Sequence, residues 1–340
     1  MLETTVIISA RGEATFTSPQ LERLKQLPGV TFVSVETQLT DNQFLEISGE
    51  ATWLAFTRRA TKNFHSDIIS RIPNLKGVAV YATGYEWLDL KELEQRKIIV
   101  SFLPDYSAVT VAEHTLGMIL SLLRRIHLSH DRVRGVAPPH VSLRGSELRG
   151  KAIGLIGFGT IARALFPLLL PFFPPIFIHD IRSIEDGVAE MPGPGNLTVE
   201  IVPLQRLLSE SEIVVLLADQ KRGDPPILDR EHLSMMRKGS YLINPARPGL
   251  VDHEALIGLI GSGQIAGYGV DDNINILTRA DLEYGRILQT DHSGWYSNEA
   301  MERGTEGWVQ NIIAMVSGNP ENLVTLLQTP MPDREKKNNE

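Results

Sequence analysis

The stretch KAIGLIGFGTIARAL, residues 151–165, constrains the fold more than any other part of this chain. An apolar run of strand length leads into Gly157-x-Gly159-x-x-Ala162, and a helical pattern opens at once. Gly157 permits a tight turn, Gly159 lets the backbone approach a bound group, and Ala162 keeps the helix close to the sheet. About twenty residues on, the run IFIHD closes on Asp180. Strand, glycine turn, helix and acid-ended strand make one βαβ unit, which requires a parallel sheet with a crossover helix. Unpaired N–H groups and the dipole at that helix start suit a pyrophosphate, so Gly157, Gly159, Thr160 and Ile161 are the expected phosphate contacts. Asp180 can accept from ribose hydroxyls and repels a 2′-phosphate. NAD is therefore expected over NADP, with Arg182 softening the preference. Pro167 falls inside the following helix, where it costs about 3 kcal/mol unless the helix kinks or ends.

The rest of the chain repeats the alternation. TVIIS (5–9), WLAF (53–56), GVAVY (77–81) and IIVSF (98–102) are strand-length apolar runs. Ser18-Pro19 opens a first helix as cap and first-turn pair, and DLKELEQRK (89–97) supplies another. VAEHTLGMILSLLRRI then places Val111, Met118, Ile119, Leu122, Leu123 and Ile126 at helical spacing. After a looser segment at 131–149 a second alternating series begins at 151. It continues through IVVLLA (213–218), SYLIN (240–244), AGYGV (266–270) and RILQT (286–290) to a last helical stretch at 299–318. The fold class is α/β, with parallel sheets and crossover helices in two domains.

Composition narrows the function. A formal charge of −8 over 340 residues argues against a nucleic-acid surface. The absence of cysteine excludes disulfides, thiolate metal sites and cysteine nucleophiles, and no metal is called for. The apolar stretch ALFPLLLPFFPPIFI (164–178) is interrupted by Pro167, Pro171, Pro174 and Pro175 and is too short to span a bilayer, so it reads as core. The N-terminal MLETTVIISARGEA has no basic segment followed by a long apolar run, so a cytoplasmic protein without membrane partners is expected.

Six segments in this order resemble the D-isomer-specific 2-hydroxyacid dehydrogenases: VAEHTLGMIL, ELRGKAIGLIGFGTIA, LLSESEIVVLLA, EHLSMMRKGSYLINPARPGLVDHEAL, SGQIAGYGVDD and DHSGW. The resemblance implies a Rossmann-type dinucleotide-binding domain, 111–295, inserted into a smaller, discontinuous flavodoxin-like α/β substrate domain, 1–110 with 296–330. The active site would lie in the cleft, and residues 331–340 would form a charged, disordered tail. It also implies a homodimer and a small 2-oxo or 2-hydroxy acid as substrate. By motif, Arg247 would bind the acid and polarise its carbonyl, and His292 would be the proton donor or acceptor. Thr83 and Gly84 would offer backbone N–H groups to the substrate carboxylate, and Arg59 would meet its far end. Ala218, Ala246 and Asp271 would be further cofactor contacts, Asp271 on the nicotinamide side.

The chain departs from the family pattern around the expected cleft. The glutamate that normally holds the imidazole falls on Ile276, with Asn275 adjacent and Asp272 directly after Asp271. Neither stands at the family's spacing, and the sequence leaves Asn275, Asp272 or nothing as the replacement. Formate dehydrogenases of the wider family use an amide there. With no glutamate beside His292, reduction is expected to fail as pH rises through about 6.5 to 7, where an ordinary imidazole gives up its proton. Pro248 removes a backbone donor beside Arg247, and Leu217 and Asp219 replace a usual His-x-Pro. The leading expectation is an NAD-dependent oxidoreductase. The alternative on the same fold is a non-catalytic NAD(H)-binding interaction protein, as the corepressors of this superfamily exemplify.

Overall fold

The structure is a computed structural model and describes residues 3–172, 175–181, 199–220, 223–274 and 284–324. Pro174, Arg182, Asn275, Ile276 and the 331–340 tail lie outside the described residues. The chain divides into two compact units, Met1–Tyr106 with Glu302–Glu340, and Ser107–Met301. The divides fall a few residues before the expected 110/111 boundary and a few after 295/296. At both, the second unit already holds the chain: the Thr110 and Ser297 hydroxyls lie 3.0 Å apart within it.

The first unit is built on β1 (Thr5–Ser9), β2 (Val30–Ser34), β3 (Trp53–Thr57), β4 (Gly77–Tyr81) and β5 (Ile99–Ser101). They pair in parallel in the order β2-β1-β3-β4-β5, that of flavodoxin-like sheets. Successive side chains leave a strand on opposite sides, and here both sides are covered, which explains the continuous apolar runs. Val6, Ile8, Leu54, Phe56, Val78 and Val80 pack one way, against Phe44, Ile68 and Leu93 from short helices. Ile7, Trp53, Ala55 and Ala79 pack the other way, against Leu24 and, from the last helix, Trp308, Val309, Ile312 and Met315. Trp308 is fully buried, and its indole N–H donates to the Ala79 carbonyl at 3.0 Å.

The first helix, Ser18–Leu24, starts one residue earlier than expected. Thr17 is its cap, and the Gln20 side chain accepts from the Thr17 N–H at 3.0 Å, so Ser18 and Pro19 both lie within the first turn.

The second unit contains β6 (Ile153–Ile156), β7 (Ile176–His179), β8 (Val199–Ile201), β9 (Ile213–Leu216), β10 (Ser240–Asn244), β11 (Ile265–Asp271) and β12 (Ile287–Thr290). Their order is β12-β11-β10-β9-β6-β7-β8, every described pairing parallel. The chain runs outward from β6 through β7 and β8, then crosses back to β9 on the other side. The β6/β9 junction is thus the topological switch point, where α/β sheets bind ligands at strand C-terminal ends.

The Ala108–Arg124 helix covers one face of this sheet with Met118, Ile119, Leu122 and Leu123. It stops at Arg125, which sits at φ 54°, and a separate helix, Ile126–Val133, follows. Ile126, expected on the buried stripe, is therefore 54% exposed: the left-handed residue rotates it off the face. Pro167 lies in the last turn of the Thr160–Leu169 helix, just before the 3-10 turn Leu170–Phe172, so that helix ends rather than kinks. Among the described residues no helix is long and apolar enough to cross a membrane, and the core includes Leu165, Phe166 and Leu169 of the apolar stretch.

Candidate functional site

In the second unit the singled-out residues follow the C-terminal ends of parallel strands. Gly157 follows β6, Asp180 follows β7 and Ala218 lies just beyond β9. Arg247 lies three residues beyond β10, Asp271 ends β11 and His292 lies two beyond β12.

At the switch point Gly157 adopts φ +89°, and a Cβ there would lie 2.8 Å from the Ala218 nitrogen and 2.8 Å from the Leu217 carbonyl carbon. Both the backbone conformation and the close approach of the β9 end require glycine. The Phe158 N–H donates to Asp180 Oδ2 at 2.8 Å, so the acid ties the turn to the neighbouring strand. Gly159 caps the Thr160–Leu169 helix and has no side chain to take up the first-turn N–H groups of Thr160 and Ile161. These features fit a dinucleotide: a side-chain-free turn, an uncapped helix start and a carboxylate at the adjacent strand end.

Beyond β10, the Asn244 side chain fixes the loop bearing the arginine. Its Nδ2 donates to the Arg247 carbonyl at 2.8 Å, and its Oδ1 accepts from the Ala246 N–H at 3.1 Å. Arg247 Nη1 donates to the Ala246 carbonyl at 3.0 Å. Behind this loop the Tyr268 hydroxyl lies 3.4 Å from Asn244 Nδ2 and 3.1 Å from His253 Nε2. Burial pushes the Tyr268 phenol far above its ordinary range, the Asn244 contact opposes this, and the Asp272 charge adds to it. Burial likewise lowers the His253 imidazole against the opposing charge of Asp252. A neutral His253 ring can accept the phenol proton, so each of the three groups has a use in the network.

Beyond β12, His292 sits at φ +48°, in the left-handed region. A non-glycine residue there costs about 1–2 kcal/mol and persists only where neighbours determine it. Its Nδ1 lies 3.2 Å from Asp272 Oδ2. Burial raises the Asp272 carboxyl, but the hydrogen bonds from His292 and the Asn273 N–H and the charges of His292 and Arg247 outweigh it. The group is held below its ordinary value. Of the alternatives the sequence leaves open for the missing glutamate, Asp272 stands beside His292, while Asn275 lies outside the described residues. Strand alternation and the close of β11 bring Asp272 to the ring, whatever occupies the glutamate's sequence position.

Asp271, 5% exposed, accepts from the Thr290 hydroxyl at 2.6 Å, the Ser293 N–H at 2.9 Å and the Gly294 N–H at 2.7 Å. His114 Nε2 lies 3.1 Å from Thr290 Oγ1.

In the first unit Arg59 is exposed beyond β3, its Nη1 3.4 Å from the Glu36 carbonyl. Thr83 is exposed and Gly84 half-buried beyond β4, and the Gly84 carbonyl accepts from the Trp87 indole at 2.9 Å, leaving that loop's N–H groups out of this bond. Sequence reasoning assigned no part to Asn244, Tyr268, His253 or His114. All four sit inside segments that carried the resemblance, which was the one signal available for them.

Residues 116–291 match the family described as D-isomer specific 2-hydroxyacid dehydrogenase, NAD binding domain. A glyoxylate reductase of Thermofilum pendens is 30% identical over 271 residues, 76% of this chain and 77% of that protein. A hydroxypyruvate reductase of Thermotoga maritima is 30% identical over 270 residues, 78% of this chain and 85% of that one. The crystal structure of D-lactate dehydrogenase from Aquifex aeolicus, complexed with NAD and lactic acid, superposes with a TM-score of 0.75. It covers 94% of this chain and 99% of its own at 24% identity, a likeness of fold.

Proposed function

This chain belongs to the D-isomer specific 2-hydroxyacid dehydrogenase family and is an NAD-dependent oxidoreductase of 2-hydroxy acids; from that premise we propose that it reduces a small 2-oxo acid of the glyoxylate or hydroxypyruvate kind to the D-hydroxy acid, Arg247 binding the substrate and His292 supplying the proton. The observation that carries the proposal is the group of Arg247, Asp272 and His292 beyond adjacent strands β10, β11 and β12. Asp272 lies 3.2 Å from His292 and feels the charge of Arg247.

Arg247 is a guanidinium charged at every working pH, with a planar fork that matches a carboxylate and the neighbouring carbonyl. Asn244 anchors its main chain at 2.8 Å, so the fork starts from a fixed point. His292 turns Nδ1 to Asp272, which leaves Nε2 as the atom that gives its proton to the carbonyl oxygen as charge develops there. The Asp272 carboxylate favours the imidazolium that donates in reduction and orients the ring. The cofactor, when bound, supplies the hydride. Gly157, Gly159, Thr160 and Ile161 are assigned to its pyrophosphate, Asp180 to its ribose hydroxyls, and Ala218 and Ala246 to its flanks. Thr83, Gly84 and Arg59 are assigned to the substrate's carboxylate and far end. Homodimeric assembly and a cytoplasmic setting complete the reading.

The test is NADH oxidation against glyoxylate, hydroxypyruvate, pyruvate and oxaloacetate, with NADH binding measured separately. Turnover with at least one supports the reading. Tight NADH binding without turnover on any of them contradicts it.

A further inference from the structure

Strand β11 closes on Asp271, Asp272 follows at once, and the alternation of side chains along a strand sends the two carboxylates to different partners. Asp272 meets the His292 ring. Asp271 is nearly inaccessible and accepts from three donors on the segment that carries His292: the Thr290 hydroxyl on one side, and the Ser293 and Gly294 N–H groups on the other. That fills three of the roughly four acceptor positions of a carboxylate. Because the Thr290 hydroxyl gives its proton to Asp271, its oxygen is left to accept from His114 Nε2, which also stands 3.7 Å from Asp271 Oδ1. Gly294 completes the arrangement. A Cβ there would fall 2.6 Å from Asp271 Oδ2 and 3.0 Å from the His114 ring, so no larger residue fits against the carboxylate.

Between these anchors lies one catalytic candidate in an unfavourable backbone conformation, His292 at φ +48°. Thr290 before it and Ser293 and Gly294 after it are all tied to the same buried carboxylate. We propose that Asp271 is a positioning residue for proton transfer: its carboxylate clamps residues 290–294 and thereby holds His292 in the left-handed turn from which the imidazole meets Asp272. This gives Asp271 a task different from the nicotinamide-side contact expected by resemblance. It also gives the tandem a division of labour, Asp271 holding the histidine's backbone and Asp272 its ring. The inference rests on the proposed role of His292.

The test uses the full chain and two variants, Asp271→Asn and Gly294→Ala. The first keeps the shape of the side chain but removes its charge and turns an NH2 toward N–H donors. The second leaves Asp271 in place and presses a methyl group against its oxygen. Both are expected to lower kcat for 2-oxo acid reduction at least tenfold while the Kd for NADH, read by fluorescence titration, stays within twofold. In both, the Ser293 and Gly294 amide hydrogens should exchange at least tenfold faster, with those of β6 unchanged. In a His292→Asn background, Asp271→Asn should cost little further kcat, since the residue it positions is gone. A Kd for NADH weakened tenfold with kcat preserved, or an equal loss of kcat in the presence and absence of His292, overturns the proposal. If the parent reduces no 2-oxo acid, the functional reading fails by itself. The clamp is then decided by amide exchange, and unchanged exchange at Ser293 and Gly294 in both variants overturns it.

Discussion

Replacing Asp272 with asparagine removes one negative charge from beside His292 and keeps an acceptor of the same shape there. The separation is 3.2 Å, and the two side chains are 38% and 30% exposed, so the pair is screened by water but not bathed in it. At a water-like dielectric of about 80, unit charges at that distance attract by about 1.3 kcal/mol. A factor of ten in rate corresponds to about 1.4 kcal/mol, so the charge is worth up to about tenfold. The sign follows from the chemistry. Asp272 is held below its ordinary value and stays ionised across any working range, where it favours the protonated ring that reduction needs. Removing it should lower reductive kcat/KM by up to about tenfold. The assay is the initial rate of NADH oxidation at limiting 2-oxo acid, from about pH 5 to pH 9 at constant ionic strength, for parent and Asp272→Asn. Raising salt should narrow the gap between the two profiles. A kcat/KM that is unchanged, or that rises in the variant, would refute the assignment of Asp272 as the imidazole's partner.

Arg247→Lys keeps the charge but loses the fork. Its kcat/KM should fall roughly 100-fold, the cost of about 3 kcal/mol of charge-assisted hydrogen bonding, while NADH binding measured by fluorescence is unchanged. Asp180→Ala removes both the expected ribose acceptor and the partner of the Phe158 N–H. It should weaken NADH roughly tenfold and narrow the preference for NADH over NADPH, read from paired Kd measurements. Trp308→Ala empties a fully buried position and breaks the bond to the Ala79 carbonyl, so denaturant titration should show a loss of about 3–5 kcal/mol in the first unit.

The central strands were legible because both sides of each sheet are covered. Residues such as Leu54 to Phe56 and Ile213 to Leu216 are all buried, and a continuous apolar run is the trace this leaves. The edge strands leave no such trace. In β2 no residue is buried, and β8 is a three-residue edge strand whose Ile201 is 54% exposed; neither stood out as an apolar run. The break at Arg125 was equally silent, because an arginine in the left-handed region carries no local signature.

At the site, the glycine turn could be read because sterics at Gly157 exclude every other residue. The choice of Asp272, one of the alternatives left open, as the partner of His292 could not. It depends on where the end of β11 comes to lie beside the turn after β12, which pairs residues 20 positions apart. Spacing along the chain records the family's glutamate position, whereas the contact is decided by strand register. For the same reason the Asn244–Tyr268–His253 network behind Arg247 becomes visible only when β10 and β11 are set side by side.

The most direct test of the central claim is a single-turnover measurement of NADH oxidation by the parent and by His292→Asn, with both enzymes saturated with NADH and with the best 2-oxo acid. The account predicts equal NADH binding and a rate at least roughly 100-fold lower in the variant, the scale of a lost general acid. Equal rates in the two proteins would show that the proton comes from elsewhere and would contradict the assignment of His292 as its donor.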